Sequence, residues 1–264
     1  MSDSTSSSLA RMLGVLDLFG ESVQTLTAEA ISDALGVSRP TGYRYIRILL
    51  NADLLQHAGN AAYALGPKIV MLDHYIRATD PVLHAARPLM RALADQTGFD
   101  CITSGWFSNQ VLDTHREYGA EPADLPVYDR GKTRSLFAGA GPKLVLASLP
   151  TIQLRRLFDT HHKEVRAAGL PVEWPAFRKY YAGIRHAGYY QSHGEGHPQY
   201  AAVGAPIVNP KDGLWYALVV VFNKSRLSIV DTDKLIELTL ETARAISARV
   251  TQQTRIPLPN RHVA

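Results

Sequence analysis

The sequence has little of what a disulfide-bonded, secreted or membrane-spanning protein requires. It holds a single cysteine, Cys101, which excludes an intramolecular disulfide and a metal cluster built from cysteines. The longest uninterrupted apolar run, Leu214 to Phe222, is too short to span a bilayer, and the first residues are polar and rich in serine. These absences predict a cytoplasmic protein without a membrane partner.

A strong net charge is also missing. The chain carries +4 at neutral pH, and residues 1–77 contain six lysines and arginines against seven aspartates and glutamates. A sum of this kind does not by itself indicate a polyanion partner. Any argument for DNA binding must therefore rest on where the charges lie along the chain.

The first 77 residues have the pattern of a helix-turn-helix followed by a β-hairpin. Apolar residues at helical spacing predict a first helix that ends at Gly20, and Thr27 is expected to cap a short second helix. Ser38 is expected to cap a third helix, where a proline in the first turn costs no hydrogen bond. Two short strands around Gly59-Asn60 would form the wing.

The third predicted helix has a basic outer face. By helical geometry this face comprises Arg39, Tyr43, Arg44 and Arg47. Arginines on a helix are often no more than a solvated surface, but the turn before this helix and the wing after it favour DNA recognition. The predicted DNA contacts are Ser38, Arg39, Thr41, Tyr43, Arg44, Arg47, His57 and Asn60.

The remainder of the chain alternates helices and strands in a way typical of an α+β sensor. With 264 residues, 46% of them hydrophobic, two domains are expected. The predicted organisation is a DNA-binding domain over 1–77, a linker helix over 78–98, an effector-binding domain over 99–252 and a flexible tail over 253–264. One of the helices predicted in the second domain runs from about Trp174 to Ala187.

Three stretches resemble the IclR family of bacterial transcriptional regulators, and the likeness extends from Leu9 to Val250. They are the helix-turn-helix over 26–44, which continues into 63–68 after the wing, the loop and helix over 136–147, and the segment over 188–207. The resemblance implies a winged helix-turn-helix joined by a helical linker to a GAF-like effector-binding domain, an antiparallel sheet with flanking helices. It also implies a homo-oligomer, either a dimer or a dimer of dimers.

The sequence departs from the family pattern at three positions. Gly42 stands inside the recognition helix where the family usually has alanine or a β-branched residue, and this should weaken the helix by roughly 0.5–1 kcal/mol relative to alanine. Phe137 stands where histidine is common, and Pro142 where glycine is common. The last two changes leave the detail of the pocket loop open.

The effector pocket is inferred from the resemblance. By alignment with the family, its lining comprises Ala140, Gly141, Ser192, Tyr200, Ala202, Val219 and Val221. Trp106 and Phe137 are candidate walls, and His193 and Glu195 are candidate polar groups beside Ser192. Such a lining lacks the hydrogen-bond donors that would offset the desolvation of a small, highly charged acid, so an aromatic or otherwise hydrophobic effector is predicted.

The sequence therefore predicts a ligand-responsive, sequence-specific transcriptional regulator with a double-stranded DNA operator and a small-molecule effector as partners. A repressor that controls the catabolism of an aromatic or other hydrophobic compound is favoured over an activator, because repression is the commoner mode in the family it resembles. We predict no catalytic residue, no metal and no cofactor.

Polar groups between Ser192 and His197 leave other hypotheses open. His193, Glu195 and His197 would share one side of a strand, as a metal site requires, but the glycines and proline among them favour a loop. The same cluster supports a second hypothesis, a small-molecule enzyme or carrier that retains a DNA-binding domain. A third hypothesis is a sensor that acts only through protein partners.

Overall fold

The computed structural model of the chain describes residues 7–121, 129–209 and 213–253. The chain divides into two units, Met1–Asp80 and Pro81–Ala264. The predicted flexible tail lies outside the described residues apart from Gln253. Within the described ranges, none of the helices is long and apolar enough to cross a membrane.

The N-terminal unit is a winged helix-turn-helix, as predicted. Its elements in chain order are α1 (Ser8–Leu13), a 3-10 turn (Leu16–Leu18), β1 (Leu26–Thr27), α2 (Ala28–Ala34), α3 (Arg39–Asn51), β2 (Leu55–His57), β3 (Ala62–Leu65) and α4 (Pro67–Thr79). The three strands form an antiparallel sheet in the order β1-β3-β2. Strand β1, which the sequence did not predict, pairs with β3 and ties the start of α2 to the wing.

The first helix is shorter than predicted. Ser7 Oγ accepts a hydrogen bond from the Ala10 N–H at 3.2 Å and caps the helix, but α1 ends at Leu13 rather than at Gly20. Gly14 follows at once, and glycine has the lowest helix propensity after proline. The chain continues only as the 3-10 turn.

The caps of α2 and α3 differ. Thr27 Oγ1 accepts a hydrogen bond from the Ala30 N–H at 3.2 Å, which confirms the predicted cap. Ser38 does precede α3, but within the described part of the chain its side chain makes no capping bond. Its hydroxyl lies instead 3.0 Å from Thr41 Oγ1.

Gly42 marks the point where α3 packs against α2. Ser32 of α2 is fully buried, and its Oγ donates a 2.7 Å hydrogen bond to Ala28 O. A Cβ atom at position 42 would overlap Ser32 Oγ and lie 3.2 Å from Ser32 Cβ. The expectation that glycine only weakens this helix therefore omitted the neighbouring helix, which leaves no room for a methyl group.

The C-terminal unit is α+β and contains one six-stranded antiparallel sheet. Its elements are α5 (Pro81–Thr97), β4 (Asp100–Phe107), β5 (Gln110–Glu117), β6 (Thr133–Arg134), α6 (Ala140–Ser148), α7 (Thr151–Thr160), α8 (His162–Ala167), α9 (Trp174–Ala187), β7 (Tyr190–His193), β8 (Tyr200–Asn209), β9 (Leu214–Asn223), a 3-10 turn (Lys224–Arg226) and α10 (Thr232–Gln253). The strand order is β6-β5-β4-β9-β8-β7. The sequence did not predict β6 or α8.

Two hydrophobic cores lie on the two faces of this sheet, because side chains alternate along each strand. On β9, Leu218 and Val220 pack in a core with α5 and α10, whereas Val219 packs in a core with α6, α7 and α9. Since both faces of β9 are covered, its sequence is the continuous apolar run rather than an alternating one. The core that contains Val219 borders the cavity of the candidate site.

Candidate DNA-binding surface and effector cavity

The outer face of α3 is exposed and basic. Its exposed residues are Arg39, Tyr43, Arg44 and Arg47, with Ser38 exposed and Thr41 half-buried at the start of the helix, while Gly42, Tyr45, Ile46 and Leu49 on the inner face are buried. A shallow groove of about 490 Å³ lies between this face and Tyr63 of β3. An exposed basic helix that follows a tight turn can reach both phosphates and base edges of duplex DNA.

The wing carries the remaining predicted DNA contacts, His57 and Asn60. Gly59, Asn60 and Ala61 have φ values of 79°, 48° and 55°, so the turn uses left-handed conformations that glycine and asparagine tolerate. His57 and Asn60 are both exposed, one on β2 and the other at the tip of the hairpin. Both side chains are therefore free to approach a DNA backbone.

Glu29 of α2 reaches the same surface, and the sequence analysis missed it. Its Oε1 lies 3.3 Å from Arg39 Nη1 and accepts a 3.4 Å hydrogen bond from Tyr43 OH. A backbone hydrogen bond, and then Thr27, Arg39 and Tyr43, lower the pKa of Glu29. The prediction of a basic face considered only the side chains of α3 itself. The neighbouring helix α2 adds one negative charge among the predicted phosphate contacts.

Replacing Glu29 with glutamine is expected to strengthen DNA binding. The change removes a charge that repels phosphates and releases Arg39, so affinity for a nonspecific duplex at about 0.1 M salt should rise by about two- to tenfold. Fluorescence anisotropy with a labelled duplex measures this. Asp53→Asn, an exposed residue beyond the other end of α3, is the charge-matched control. Weaker binding by Glu29→Gln would mean that Glu29 holds Arg39 and Tyr43 in their DNA-binding positions.

The C-terminal unit encloses a small cavity between the sheet and the start of α6. It is lined by Ile102, Ser104, Asp113, Arg134, Gly139, Ala140, Gly141, Pro142, Ser192, Ala202 and Val219. Its volume of about 20 Å³ has room for about one water molecule. Gly141 keeps this space open, since a Cβ atom there would lie 2.9 Å from Ser104 Oγ and 3.4 Å from Val219 Cγ2.

The residues predicted to bind an effector fall into two groups. Those that line the cavity are Ala140, Gly141, Ser192, Ala202 and Val219. Tyr200 and Val221 are buried in the adjoining core, and Trp106 packs against it half-buried. Phe137 is buried among aromatic rings, with its ring centre 6.2 Å from that of Phe177. An effector contact by these four residues, which do not line the cavity, stays a prediction.

Glu195 belongs to a network that ties the loop after β7 to the start of α6. Its Oε2 lies 2.7 Å from Lys143 Nζ and accepts a 3.0 Å hydrogen bond from the Gly139 N–H, while Tyr190 OH donates to its Oε1 at 2.8 Å. Burial raises the pKa of Glu195, but the hydrogen bonds from Lys143, Tyr190 and Gly139 outweigh burial and hold the pKa below its ordinary value. The carboxylate is thus already bound within the protein.

His193 lies at the end of β7 and is exposed. Gly194 follows with a φ of 83°, so the chain turns there. In the parts of the chain that the structure describes, no group of three or more His, Cys, Asp or Glu side chains could hold a metal ion. A contact of His193 or Glu195 with an effector stays a prediction.

Ser104, Asp113 and Arg134 form a polar wall of the cavity that the sequence analysis missed. Asp113 Oδ1 accepts a 2.6 Å hydrogen bond from Ser104 Oγ, and Arg134 Nε lies 3.9 Å from Asp113 Oδ2. Only 1% of the Asp113 side chain and 8% of the Arg134 side chain are exposed. Burial raises the pKa of Asp113 to about 6, against the opposing effects of the Arg134 charge and the Ser104 hydrogen bond. The expectation of a lining short of polar groups is therefore wrong for this wall.

Alternation along β5 is the signal that could have found Asp113. Val111 is fully buried in the core beside the cavity, and the period of two along a strand places Asp113 on the same face. Alternation along β4 indicates Ser104 in the same way, because Ile102 of that strand is buried in the same core. The pairing of Ser104 with Asp113 could not be predicted from alternation. A bulge shifts the register between Thr103 and Ser104, and this shift is what sets Ser104 opposite Asp113.

Two family models match the chain. Residues 8–59 match the IclR helix-turn-helix domain, and residues 74–248 match the C-terminal domain described as bacterial transcriptional regulator IclR C-terminal.

Two relatives cover most of the chain. The uncharacterized HTH-type transcriptional regulator RhmR of Escherichia coli is 23% identical over 244 residues, which cover 90% of this chain and 91% of RhmR. The probable HTH-type transcriptional regulator ArcR of Halobacterium salinarum is 23% identical over 232 residues, which cover 83% of this chain and 88% of ArcR.

Solved structures are similar in fold over the same length. A putative IclR transcriptional regulator from Silicibacter sp. TM1040 has a TM-score of 0.77 at 20% identity and covers 92% of this chain and 96% of its own. An IclR homologue from Microbacterium hydrocarbonoxydans, complexed with 4-hydroxybenzoate, has a TM-score of 0.72 at 19% identity and covers 93% of this chain and 100% of its own. The matching families and curated relatives are transcriptional regulators rather than enzymes, which contradicts the hypothesis of a small-molecule enzyme.

Proposed function

The chain belongs to the IclR family of bacterial transcriptional regulators, and from this premise we propose that it is a ligand-responsive, sequence-specific repressor. The observation that carries the proposal is the exposed basic face of α3, in a chain whose second unit encloses a polar-walled cavity. The basic face of α3 supplies the DNA contact, and the cavity supplies the binding site for a small molecule. Ligand binding then changes DNA affinity by favouring one conformational state over another.

The proposed DNA contacts divide between α3 and the wing. Insertion of α3 into the major groove brings Ser38, Arg39, Thr41, Tyr43, Arg44 and Arg47 to base edges and phosphates, and His57 and Asn60 to the adjacent backbone. The exposure of the four outer-face side chains and the absence of acidic residues from α3 support this assignment.

The proposed effector is a small molecule with a flat, largely apolar body, and the controlled genes would serve the catabolism of such a compound. Ile102, Ala202 and Val219 give the cavity aliphatic walls, which suit an aromatic ring. The relative from Microbacterium hydrocarbonoxydans was crystallised with 4-hydroxybenzoate, an aromatic compound. A cavity of about 20 Å³ has to widen to admit a ring. The proposed lining of the widened site includes Trp106, Phe137, Tyr200 and Val221.

The proposed oligomer is a dimer, or a dimer of dimers, and α4 is its proposed interface. None of the residues of α4 is buried. Its exposed apolar side chains are Val70, Met71, Leu72, Tyr75 and Ile76. A helix with this much exposed apolar surface gains stability when a second copy covers it, and a twofold dimer presents two α3 helices to one palindromic site.

Replacing both Leu72 and Ile76 with glutamate is expected to convert the dimer to a monomer at micromolar concentration. The two residues are four apart and share one face of α4. A twofold dimer of the variant would therefore bury four carboxylates, two from each chain, in its interface. Sedimentation velocity measures the change in mass. Glutamate at both Ile152 and Val172, two exposed apolar residues of the C-terminal unit, is the control and should leave the dimer intact. A double variant that stays dimeric would place the interface elsewhere.

The function is tested by selection of DNA sequences from a pool of random duplexes with the full chain. The proposal predicts a consensus site that binds roughly 10³-fold or more tightly than a scrambled duplex at physiological salt. A promoter that carries the selected site should be transcribed less when the protein is present. Failure to enrich any sequence would overturn the assignment, and increased transcription would overturn repression.

A further inference from the structure

Asp113 lines the cavity, and one oxygen of its carboxylate is buried without a hydrogen-bond donor in the described part of the chain. Oδ1 accepts the hydrogen bond from Ser104, whereas Oδ2 finds no hydrogen-bond partner among the described residues. Arg134 Nε, at 3.9 Å from Oδ2, is close enough for an ion pair and too far for a hydrogen bond. A buried oxygen without a donor is costly, and such an atom in a native structure calls for a bound group that satisfies it.

The surroundings define what that group must be. Asp113 is mainly ionised at neutral pH, so both of its oxygens accept hydrogen bonds, and a carboxylate on the ligand would be repelled at this position. A hydroxyl group donates a hydrogen bond and carries no charge. Beyond the polar wall, the aliphatic side chains of Ile102, Ala202 and Val219 accept an apolar body.

We propose that the effector is a hydroxylated compound whose hydroxyl group donates a hydrogen bond to Asp113 Oδ2 while its apolar body lies against Ala202 and Val219. This inference rests on the proposed function, because it takes the cavity to be the effector site. It goes beyond the proposed function by naming the chemical group of the effector that contacts Asp113, an uncharged hydroxyl. Arg134 stabilises the ionised carboxylate, and Ser104 holds it in place.

The test compares phenol with fluorobenzene, which is similar in size and has no hydroxyl donor. Isothermal titration calorimetry with the full chain should give phenol at least about tenfold higher affinity. Comparable affinities, or binding of neither compound, would overturn the proposal. This comparison uses the unaltered protein and so does not depend on whether any variant folds.

Two variants then test whether Asp113 causes the preference for phenol over fluorobenzene. Asp113→Asn has the same shape but can turn its amide N–H₂ toward the ligand, and the advantage of phenol should fall below about threefold. Asp159→Asn makes the same change at an exposed carboxylate of α7 outside the cavity and should retain the advantage. A preference for phenol that survives Asp113→Asn would overturn the proposal and leave Asp113 with a structural role. Loss of sequence-specific DNA binding, measured separately by the selection experiment, would overturn the proposed function and not this ligand preference.

Discussion

Replacing both Arg44 and Arg47 with alanine is expected to weaken binding to the selected DNA site by about 100-fold or more at physiological salt. Each arginine extends from the exposed face of α3, and the loss of one base or phosphate contact costs about 1–3 kcal/mol. Where both contacts are to phosphate, the slope of log affinity against log salt should also fall by about two. Fluorescence anisotropy over a series of salt concentrations measures both quantities.

The control for this prediction removes the same charge elsewhere. Arg166 and Arg178 are exposed in the C-terminal unit, and alanine at both positions lowers the net charge by the same two units. That variant should keep the salt slope of the unaltered protein. If the Arg44 and Arg47 variant keeps its affinity and its slope, α3 is not the DNA-reading helix.

Replacing Gly42 with alanine is expected to destabilise the N-terminal unit by about 1–3 kcal/mol. Helix propensity alone predicts a gain of about 1 kcal/mol, because alanine is the best helix former. The added methyl group overlaps Ser32 Oγ, however, and α2 must move away to admit it. All three tryptophans lie in the C-terminal unit, so hydrogen exchange at the amides of α2 and α3 is the appropriate measurement.

Gly183 supplies the matched control for Gly42. It also lies inside a helix, α9, but a Cβ atom at Gly183 would meet nothing within 4 Å. Gly183→Ala should therefore stabilise the protein by about 0.5–1 kcal/mol. Combining Gly42→Ala with Ser32→Ala removes the overlapping hydroxyl and should restore part of the lost stability. If Gly42→Ala is as stable as Gly183→Ala, the close approach of α2 and α3 does not require glycine.

The elements of the fold were largely predictable, because they depend on local patterns. A helix was predicted from about Trp174 to Ala187, and α9 has these bounds in the structure. The wing hairpin followed from Gly59-Asn60, whose backbone adopts the left-handed conformation. The short strand β1 could not be predicted in this way, since two residues carry no period and its pairing with β3 is a tertiary contact.

The site was predictable only where a single element determines it. The outer face of α3 follows from the geometry of one helix, and its arginines were assigned correctly to the exposed side. Two contacts depend on how separate elements pack, which local sequence patterns do not indicate. These are the contact of Glu29 with Arg39 and the contact of Ser104 with Asp113. The same limit explains the error about the cavity, which was inferred to be short of polar groups although β5 and β6 contribute Asp113 and Arg134.

Binding of a small molecule to the C-terminal unit is proposed to change the affinity of the chain for DNA. This coupling is tested most directly by the dissociation constant for the selected DNA site, measured with and without a hydroxylated aromatic compound that raises the protein's melting temperature. We expect the compound to weaken DNA binding by about 5- to 150-fold and to be recovered chemically unaltered. An unchanged dissociation constant at saturating compound, or conversion of the compound to a product, would contradict it.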